Sequence, residues 1–376
     1  MMERRRAWRR NAIVTVFLPL LTLTGCSGFF VPEPGGGGST TGSRVYVANA
    51  GTQNLAGFNI GTNTLTAVPN SPLSLGYTPV AAVVTPDNAF VYVAGPGAIY
   101  VYTINSDGSV TGASGGAAVA IVNVTSLDVS PDGQWLFGLD NTAQVLDEFQ
   151  INKTTGALSS VAAVPYSVQN AIVVQKMVKV SPLGNLVFIA LGTGGDVVFT
   201  LNTSTGAVVN SQQLSLGSNQ TSDNGLGIDS TGSYLYIARS GQNGGVAVYT
   251  IGSGGVLNPI SGSPFASGNQ PTSIVLDPTG KYLYVANKGD GTISGYAIGT
   301  GSALTTLSGS PYAGGTQVLS LGTDKSKKYL LAGAFGGGPD LSMYSFDATV
   351  GGKLNLATST ATGTDPTGVI EIALTH

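Results

Sequence analysis

Short runs of aromatic and β-branched residues, separated by Gly-rich turns, recur along the chain and predict β-strands. The clearest run, Lys281–Asn287, is rich in aromatic and β-branched residues, and the turn Lys288–Gly291 follows with two glycines. A shorter apolar run precedes it across the turn sequence Asp277–Gly280. The pattern predicts a four-stranded unit with strands at Thr272–Leu276, Lys281–Asn287, Thr292–Ile298 and Ala303–Leu307.

The second-strand pattern of this unit occurs seven times. Its copies are Arg44–Asn49, Ala89–Gly95, Gln134–Asp140, Asn185–Leu191, Ser233–Arg239, Lys281–Asn287 and Lys328–Ala334. Their marker residues are Tyr46, Tyr92, Phe137, Phe188, Tyr236, Tyr284 and Leu331, at successive spacings of 46, 45, 51, 48, 48 and 47. Such a period, with strand chemistry in every copy, is typical of one four-stranded blade per repeat. We therefore predict an all-β fold, a seven-bladed β-propeller over residues 44–376.

The two ends of the repeat region predict how the ring closes. The chain enters at Arg44 with a second-strand sequence and lacks the first strand that should precede it. The stretch Asp365–Ile372 matches the first-strand stretch Gln270–Asp277. We therefore expect the C-terminal strand to pair with the N-terminal blade and complete it.

Charged residues make up only 9% of the chain, against roughly 25% in an average soluble protein. The largest group of basic residues is at the N-terminus, where five arginines lie among the first ten residues. After that segment no cluster of Lys or Arg could neutralise a phosphate backbone, so we expect no nucleic-acid partner.

The N-terminal segment reads as a secretory signal. The apolar run Ala12–Leu23 follows the arginines and is too short for a comfortable membrane span, which needs about 20 residues. Leu23–Cys26 resembles the lipobox of bacterial lipoproteins, and Cys26 is the only cysteine in the chain. We expect residues 1–25 to be the signal, Cys26 to carry the lipid that holds the protein to a membrane, and residues 26–43 to form a Gly/Pro/Ser tether. An ordinary cleaved signal with an incidental thiol is the alternative.

The residue after the cysteine bears on location. It is Ser27 rather than Asp, and by resemblance to bacterial lipoprotein sorting this implies the outer membrane of the cell envelope.

The repeat motifs resemble those of seven-bladed lactonase-like propellers and YVTN repeat proteins. The motifs are Y-L-Y-V-A-N at 282–287, D-P-T-G-K at 277–281 and G-S-P-F at 262–265, and the resemblance covers residues 44–376. It implies either a lactone hydrolase of the 6-phosphogluconolactonase type or a member with no assigned chemistry. In the lactonases one inner strand carries H-x-H-x-x-x-x-x-P, whereas the matching stretch here has Val174 and Lys176 at the histidine positions. Whether the chain is an enzyme therefore stays open.

Other catalytic machinery has little support in the sequence. His376 is the only histidine and the last residue, where we expect a fraying terminus, so Ser-His-Asp, Cys-His and zinc sites are not expected. The G-x-S-x-G match at 112–116 lies in a Gly-rich loop rather than at a strand-to-helix elbow. We predict no metal and no cofactor, with calcium at the propeller axis as the alternative.

The remaining candidate site is the mouth of the central channel, where first strands begin and second strands end. The candidate catalytic residues there are Lys176, Arg239, Asp140 and Asp223, and the candidate ligand-binding residues are Asn49, Asn123, Gln270, Asn287, Gln317 and Asp365. Lys176 and Arg239 would bind an anionic or carbonyl-bearing ligand, with a carboxylate as base. A solvated rim without function explains the same residues.

We expect a monomeric binding or interaction module of the cell envelope. Its partner at the mouth would be a small molecule, a glycan or a protein. A lactone hydrolase acting at the channel mouth is the alternative.

Overall fold

The computed structural model describes residues 42–168, 172–362 and 369–376. Within these ranges it contains 31 β-strands and two 3₁₀ turns, Ser253–Gly255 and Thr300–Ser302. The strands form seven antiparallel sheets of four or five strands each. The predicted seven-bladed β-propeller is therefore confirmed. No helix in the described part of the chain is long and apolar enough to cross a membrane.

The blades are numbered in chain order. Blade 1 contains β1 (Arg44–Asn49), β2 (Asn54–Gly61), β3 (Thr64–Ala67), β4 (Leu73–Ser74) and the C-terminal β31 (Val369–Leu374). Blade 2 contains β5 (Ala81–Val84), β6 (Phe90–Gly95), β7 (Ala98–Ile104), β8 (Val110–Gly112) and β9 (Ala118–Ala120). Blade 3 contains β10 (Val124–Val129), β11 (Trp135–Asp140), β12 (Val145–Ile151) and β13 (Leu158–Pro165). Blade 4 contains β14 (Met177–Val180), β15 (Leu186–Ala190), β16 (Asp196–Leu201) and β17 (Val208–Leu214).

The last three blades follow the same plan. Blade 5 contains β18 (Gln220–Ile228), β19 (Tyr234–Gly241), β20 (Gly245–Ile251) and β21 (Leu257–Pro259). Blade 6 contains β22 (Pro271–Leu276), β23 (Tyr282–Asn287), β24 (Thr292–Ile298), β25 (Leu304–Thr306) and β26 (Tyr312–Ala313). Blade 7 contains β27 (Val318–Thr323), β28 (Tyr329–Ala334), β29 (Leu341–Phe346) and β30 (Leu354–Thr360). All seven predicted second strands are present, with ends within two residues of the predicted ones.

The ring closes as the sequence predicts. β31 pairs with β1 in antiparallel register, with Val45 opposite Leu374 and Val47 opposite Ile372. The backbone N–H of Arg44 also donates a 2.8 Å hydrogen bond to the Thr375 hydroxyl. The matched stretch that begins at Asp365 lies partly outside the described residues, and the strand itself starts at residue 369.

The C-terminus is held in place, so the expectation of a fraying end is wrong. The backbone N–H of His376 donates to Asn88 Oδ1 over 2.7 Å, and Asn88 Nδ2 donates to the His376 carbonyl over 3.0 Å. The ring Nε2 lies 3.2 Å from the Val84 carbonyl oxygen. The chain end therefore locks β31 to blade 2 as well as to blade 1.

The innermost strands surround the axis, and the axis-facing edge of each has no β-sheet partner in its own blade. Backbone N–H groups on such an edge need other acceptors. In several blades a side chain from the preceding innermost strand accepts the hydrogen bond. The donor–acceptor pairs are Val178 to Ser126 (3.1 Å), Val180 to Asp128 (2.8 Å), Leu321 to Ser273 (3.1 Å), Ile372 to Ser320 (3.3 Å) and Ala82 to Glu371 (2.9 Å).

Adjacent blades are also joined by buried tyrosines on the second strands. The hydroxyls of Tyr46, Tyr92 and Tyr284 donate to turn carbonyls of the next blade, at Gly108 (2.9 Å), Gly156 (2.8 Å) and Gly352 (2.6 Å). Each fully buried ring thus has a partner for its polar end. The aromatic markers of the repeat are therefore contacts between blades.

Blade 3 replaces this tyrosine with Phe137, and a carboxyl group lies beside it. Glu148 is opposite Phe137 in the strand register and is fully buried. Neither of its carboxyl oxygens has a hydrogen-bond partner, and Oε1 would be 2.2 Å from a Cβ added at Gly206 of blade 4. Burial raises the pKa of Glu148 to about 7.

Deleting the last twelve residues should open the ring. This deletion removes β31 and leaves the inner edge of β1 unpaired. We expect the truncated protein to lose its cooperative thermal transition, and a synthetic 365–376 peptide added in trans to restore it. A truncated protein that melts within a few degrees of the full chain would contradict this account of closure.

Glu148 should make stability depend on pH. The pKa of about 7 in the folded protein lies above the ordinary value of 4.5, so the folded state retains a proton that the unfolded chain releases between these pH values. The contribution of Glu148 to stability is therefore full below about pH 4.5 and is lost as the pH rises to 7, a change of up to about 3 kcal/mol.

The neutral variant Glu148→Gln is the control, because it cannot titrate. Burial also raises the pKa values of Asp147 and Glu371, to about 6 and about 7. The quantity to measure is therefore the difference between wild type and variant in denaturant melts from pH 4.5 to 7.5. Parallel pH profiles for the two proteins would show that Glu148 has no raised pKa.

Candidate functional site

The mouth of the channel is formed by first strands that are irregular where they begin. The β-pairing register shifts near the start of β10, β18, β22, β27 and β31. The residues that these shifts leave without a partner on the second strand include Thr125, Asn224, Thr272, Leu319 and Ile370. Bulges of this kind redirect a side chain away from the regular alternation.

Three of these bulged residues, from consecutive blades, line one cavity at the mouth. The cavity has a volume of about 670 Å³ and lies at the inner ends of blades 4 to 7. Its lining residues are Lys176, Thr221, Ser222, Asn224, Ser240, Gly241, Asn269, Gln270, Thr272, Lys288 and Leu319. As far as the described residues go, this lining is mostly hydroxyl and amide groups, with two ammonium groups and no carboxylate.

The two lysines of the cavity have no counterion among the described residues. Lys176 is exposed on the segment before β14, and Lys288 is half-buried in the turn after β23. Among the described residues, neither ammonium group has a hydrogen bond or an ion pair. Both positive charges are therefore available to a ligand.

Hydrogen bonds hold the wall of the cavity in place. The hydroxyl of Ser222 donates to Asn224 Oδ1 over 2.6 Å. Asn224 Nδ2 donates to the Ser240 hydroxyl and to the Pro271 carbonyl, each over 2.9 Å. The Asn224 amide thus links blade 5 to blade 6, and its orientation is fixed before any ligand arrives.

The predicted residues Arg239 and Asp223 lie below this wall and are almost fully buried. Arg239 donates two hydrogen bonds to Asp223, from Nε to Oδ1 (2.6 Å) and from Nη2 to Oδ2 (2.8 Å). Arg239 Nη2 is also 3.6 Å from Asp196 Oδ2 of blade 4. Burial and the neighbouring negative charge of Asp223 raise the pKa of Asp196 well above its usual range.

This cluster of Arg239, Asp223 and Asp196 joins blades 4 and 5 next to the cavity wall, since Asp223 lies between the lining residues Ser222 and Asn224. Buried charges are tolerated when they are paired and hydrogen-bonded, a condition that Arg239 and Asp223 meet. The two carboxyl oxygens of Asp196 have no hydrogen-bond partner among the described residues. The structure therefore places Arg239 and Asp223 with each other and not on the cavity surface.

Asp140 is held by the turn that follows β11. Its Oδ1 accepts hydrogen bonds from the backbone N–H groups of Thr142 (2.6 Å) and Ala143, and from the Thr142 hydroxyl (2.9 Å). These bonds shape the turn. Asp140 does not line the cavity.

The predicted amide residues divide into two groups. Asn49 and Asn287 are fully buried, and Nδ2 of each donates within its own blade, to Asn54 Oδ1 (2.7 Å) and to the Ser294 hydroxyl (2.9 Å). Their Oδ1 atoms accept from the Thr362 hydroxyl and from the Gly268 backbone N–H. Gln270 is exposed and lines the cavity with Lys176. Asn123 and Gln317 are half-buried and outside the cavity lining, and Asp365 lies outside the described residues.

Sequence reasoning missed most of the cavity. It did not single out Thr221, Ser222, Asn224, Ser240, Asn269, Thr272, Lys288 or Leu319. Lys288 could have been found from the sequence, because it directly follows a second strand and second strands end at the mouth. The bulged residues could not have been found in this way, because a shift in pairing depends on the register between two strands and not on the sequence of one. Among the described residues no group of three or more His, Cys, Asp or Glu side chains could hold a metal ion.

Comparison with known proteins agrees with this architecture. The family model described as "Lactonase, 7-bladed beta-propeller" matches residues 194–307 and 232–370. Comparison with curated protein sequences gave no match.

Solved structures share the fold over most of the chain. A putative 6-phosphogluconolactonase from Bacteroides uniformis superposes with a TM-score of 0.73 at 15% identity, covering 89% of this chain and 99% of its own. The periplasmic gluconolactonase PpgL of Pseudomonas aeruginosa superposes with a TM-score of 0.69 at 14% identity, with 89% and 99% covered. The hydrazine synthase of Kuenenia stuttgartiensis gives 0.62 at 16% identity, with 85% and 99% covered. At sequence identities this low, the superpositions show a shared fold only.

Removing the charge of Arg239 should destabilise the propeller. Arg239→Ala leaves the buried carboxylate of Asp223 without its partner, a change that typically costs about 3–5 kcal/mol. We expect a large fall in the midpoint of denaturant unfolding. The matched control Lys288→Ala removes an unpaired charge nearby and should shift stability by no more than about 0.5 kcal/mol.

A double variant tests the pairing itself. Arg239→Met combined with Asp223→Leu removes both charges and should be more stable than Arg239→Ala alone. If the effects of the single substitutions simply add, the two side chains are not coupled.

Proposed function

Because the chain belongs to the lactonase-like seven-bladed β-propeller family, we propose that it binds an anionic, polyhydroxylated small molecule in the mouth cavity. A sugar acid is the ligand class with this chemistry. The observation that carries the proposal is the pair of lysines without counterions, Lys176 and Lys288, among hydroxyl and amide groups.

The cavity lining matches each part of such a ligand. An ammonium group binds a carboxylate or phosphate through charge-assisted hydrogen bonds. The side chains of Asn224, Ser240 and Thr272 can donate to sugar hydroxyls and accept from them. A volume of about 670 Å³ lies within the usual range of small-molecule sites.

The proposed location is the cell envelope, with Cys26 as the lipid attachment site. Support comes from the arginine-rich apolar leader and the lipobox-like sequence that ends at Cys26. One structural neighbour is named as a periplasmic protein, which agrees with this location. Stable attachment by acyl chains takes more than one chain, as the lipobox resemblance implies.

Lactone hydrolysis at the same cavity is the second candidate function, because two of the structural neighbours carry lactonase names. In that reaction water adds to the lactone carbonyl, the ring C–O bond breaks, and a base must take the proton from the water. Lys176 or Lys288 could stabilise the negative charge on the carbonyl oxygen. The cavity lining supplies no carboxylate or imidazole as the base, so we favour binding.

Calorimetry with gluconate, 6-phosphogluconate and neutral glucose tests the proposal. We expect the two anions to bind and glucose to bind at least tenfold more weakly. Lys176→Ala and Lys288→Ala should each weaken anion binding by roughly 10- to 100-fold, which corresponds to the loss of a hydrogen bond to a charged group. Lys281→Ala, on the opposite face of the propeller, is the control and should bind as wild type does.

The same proteins distinguish the two candidates. Equal affinity for glucose and for the anions, or no effect of either cavity lysine, would contradict the binding proposal. Hydrolysis of δ-gluconolactone above the spontaneous rate, abolished by Lys176→Ala and kept in Lys281→Ala, would replace it with the lactonase function.

A further inference from the structure

The face opposite the mouth carries the point where the chain enters the propeller. First strands end and second strands begin on this face, so the entry residues Gly42 and Ser43 lie here, just before β1. The Ser43 hydroxyl donates a 3.2 Å hydrogen bond to Asp324 Oδ2 in the turn between β27 and β28. The entry point is thus fixed against blade 7.

The turn that receives this contact is the most basic segment of the propeller. It contains Lys325, Lys327 and Lys328, all exposed. We call residues 325–328 the lysine turn. Three of the nine lysines in the chain lie within these four residues.

The acidic residue of the turn is used internally. Asp324 is buried, and its carboxylate accepts hydrogen bonds from the backbone N–H groups of Ser326 (2.8 Å), Lys328 (2.9 Å) and Tyr329 (2.7 Å). In the neighbouring turn of blade 7, Lys353 pairs with Asp347 at 3.7 Å. The three lysines of the lysine turn have no ion pair among the described residues, so their charges face solvent.

We propose that the lysine turn binds anionic lipid headgroups, so that the face carrying the chain entry lies on the bilayer and the mouth cavity opens away from it. The proposal rests on the lipid anchor at Cys26 put forward under Proposed function. It adds the orientation of the propeller and names the residues that set it.

The length of the chain and the strength of the contact are compatible with this arrangement. Cys26 and Gly42 are sixteen residues apart, which spans at most about 55 Å when fully extended. A lysine near an anionic bilayer contributes roughly a fivefold gain in affinity. Three such contacts give only weak membrane binding by themselves. They are sufficient to orient the propeller on the bilayer when a lipid anchor keeps this face close to it.

The charge contact can be measured without the anchor. The chain from Ser27 onward contains all 31 strands of the described structure. We expect it to co-sediment at low salt with vesicles of phosphatidylglycerol and phosphatidylcholine, and not with phosphatidylcholine alone. Lys325→Gln with Lys328→Gln should weaken this binding about thirtyfold.

A matched pair on the same face is the control. Lys153→Gln with Lys281→Gln also removes two exposed charges, in blades 3 and 6. Binding reduced equally by both pairs, or unchanged by the first, would overturn the assignment to the lysine turn. This measurement does not involve Cys26, so it is independent of whether that residue is lipidated.

The orientation is tested on the mature lipidated protein. A fluorophore attached at Ser326→Cys should be quenched by headgroup-spin-labelled lipid, whereas one at Gln242→Cys, exposed on the mouth side, should not. Quenching at Gln242→Cys or equal quenching at both positions would overturn the orientation. Mass measurement of the N-terminal peptide shows separately whether the anchor exists.

Discussion

The closed ring depends on how the innermost strands satisfy their backbone N–H groups at the axis. Each of these strands has an edge without a sheet partner, and five of the N–H groups there donate to side chains of the preceding blade, including Ser126, Ser273 and Glu371. These bonds run in one direction around the ring, and β31 takes part both as donor and as acceptor. The C-terminal strand is therefore an integral part of the axis.

The fold could be predicted from the sequence because its signals are local. Each second strand combines β-branched and aromatic residues with a Gly-rich turn, and this pattern can be recognised in each repeat by itself. The site could not be predicted to the same extent. Whether Arg239 faces a ligand or Asp223 depends on strand register and on which blade lies next to it. The anchoring of His376 could not be predicted either, because its partner Asn88 lies 288 residues away in the sequence.

Charged side chains are few on both faces of the propeller, and they have different partners on each face. At the mouth, Lys176 and Lys288 have no ion pair among the described residues, whereas Arg239 is buried between the carboxyl groups of Asp223 and Asp196. On the opposite face most aspartates cap turns, as Asp324 does. Beside the chain entry the lysine turn presents exposed lysines toward blade 7, and the exposed carboxylate of Asp107 lies near Arg44 on the side of blade 2. With only 9% charged residues, a few side chains determine the character of each face.

Because of the bulges at the mouth, strand pairing within a blade does not depend on the side chains that line the cavity. Asn224, Thr272 and Leu319 have no opposite residue on the second strand, so the ladder hydrogen bonds on either side do not depend on their side chains. Substitutions at Thr272 and Leu319 change size and polarity inside the cavity while the sheets remain paired, whereas a substitution at Asn224 also removes the amide that links blade 5 to blade 6. A lineage of such propellers can therefore acquire new ligands through single codon changes at a fixed ring of sites.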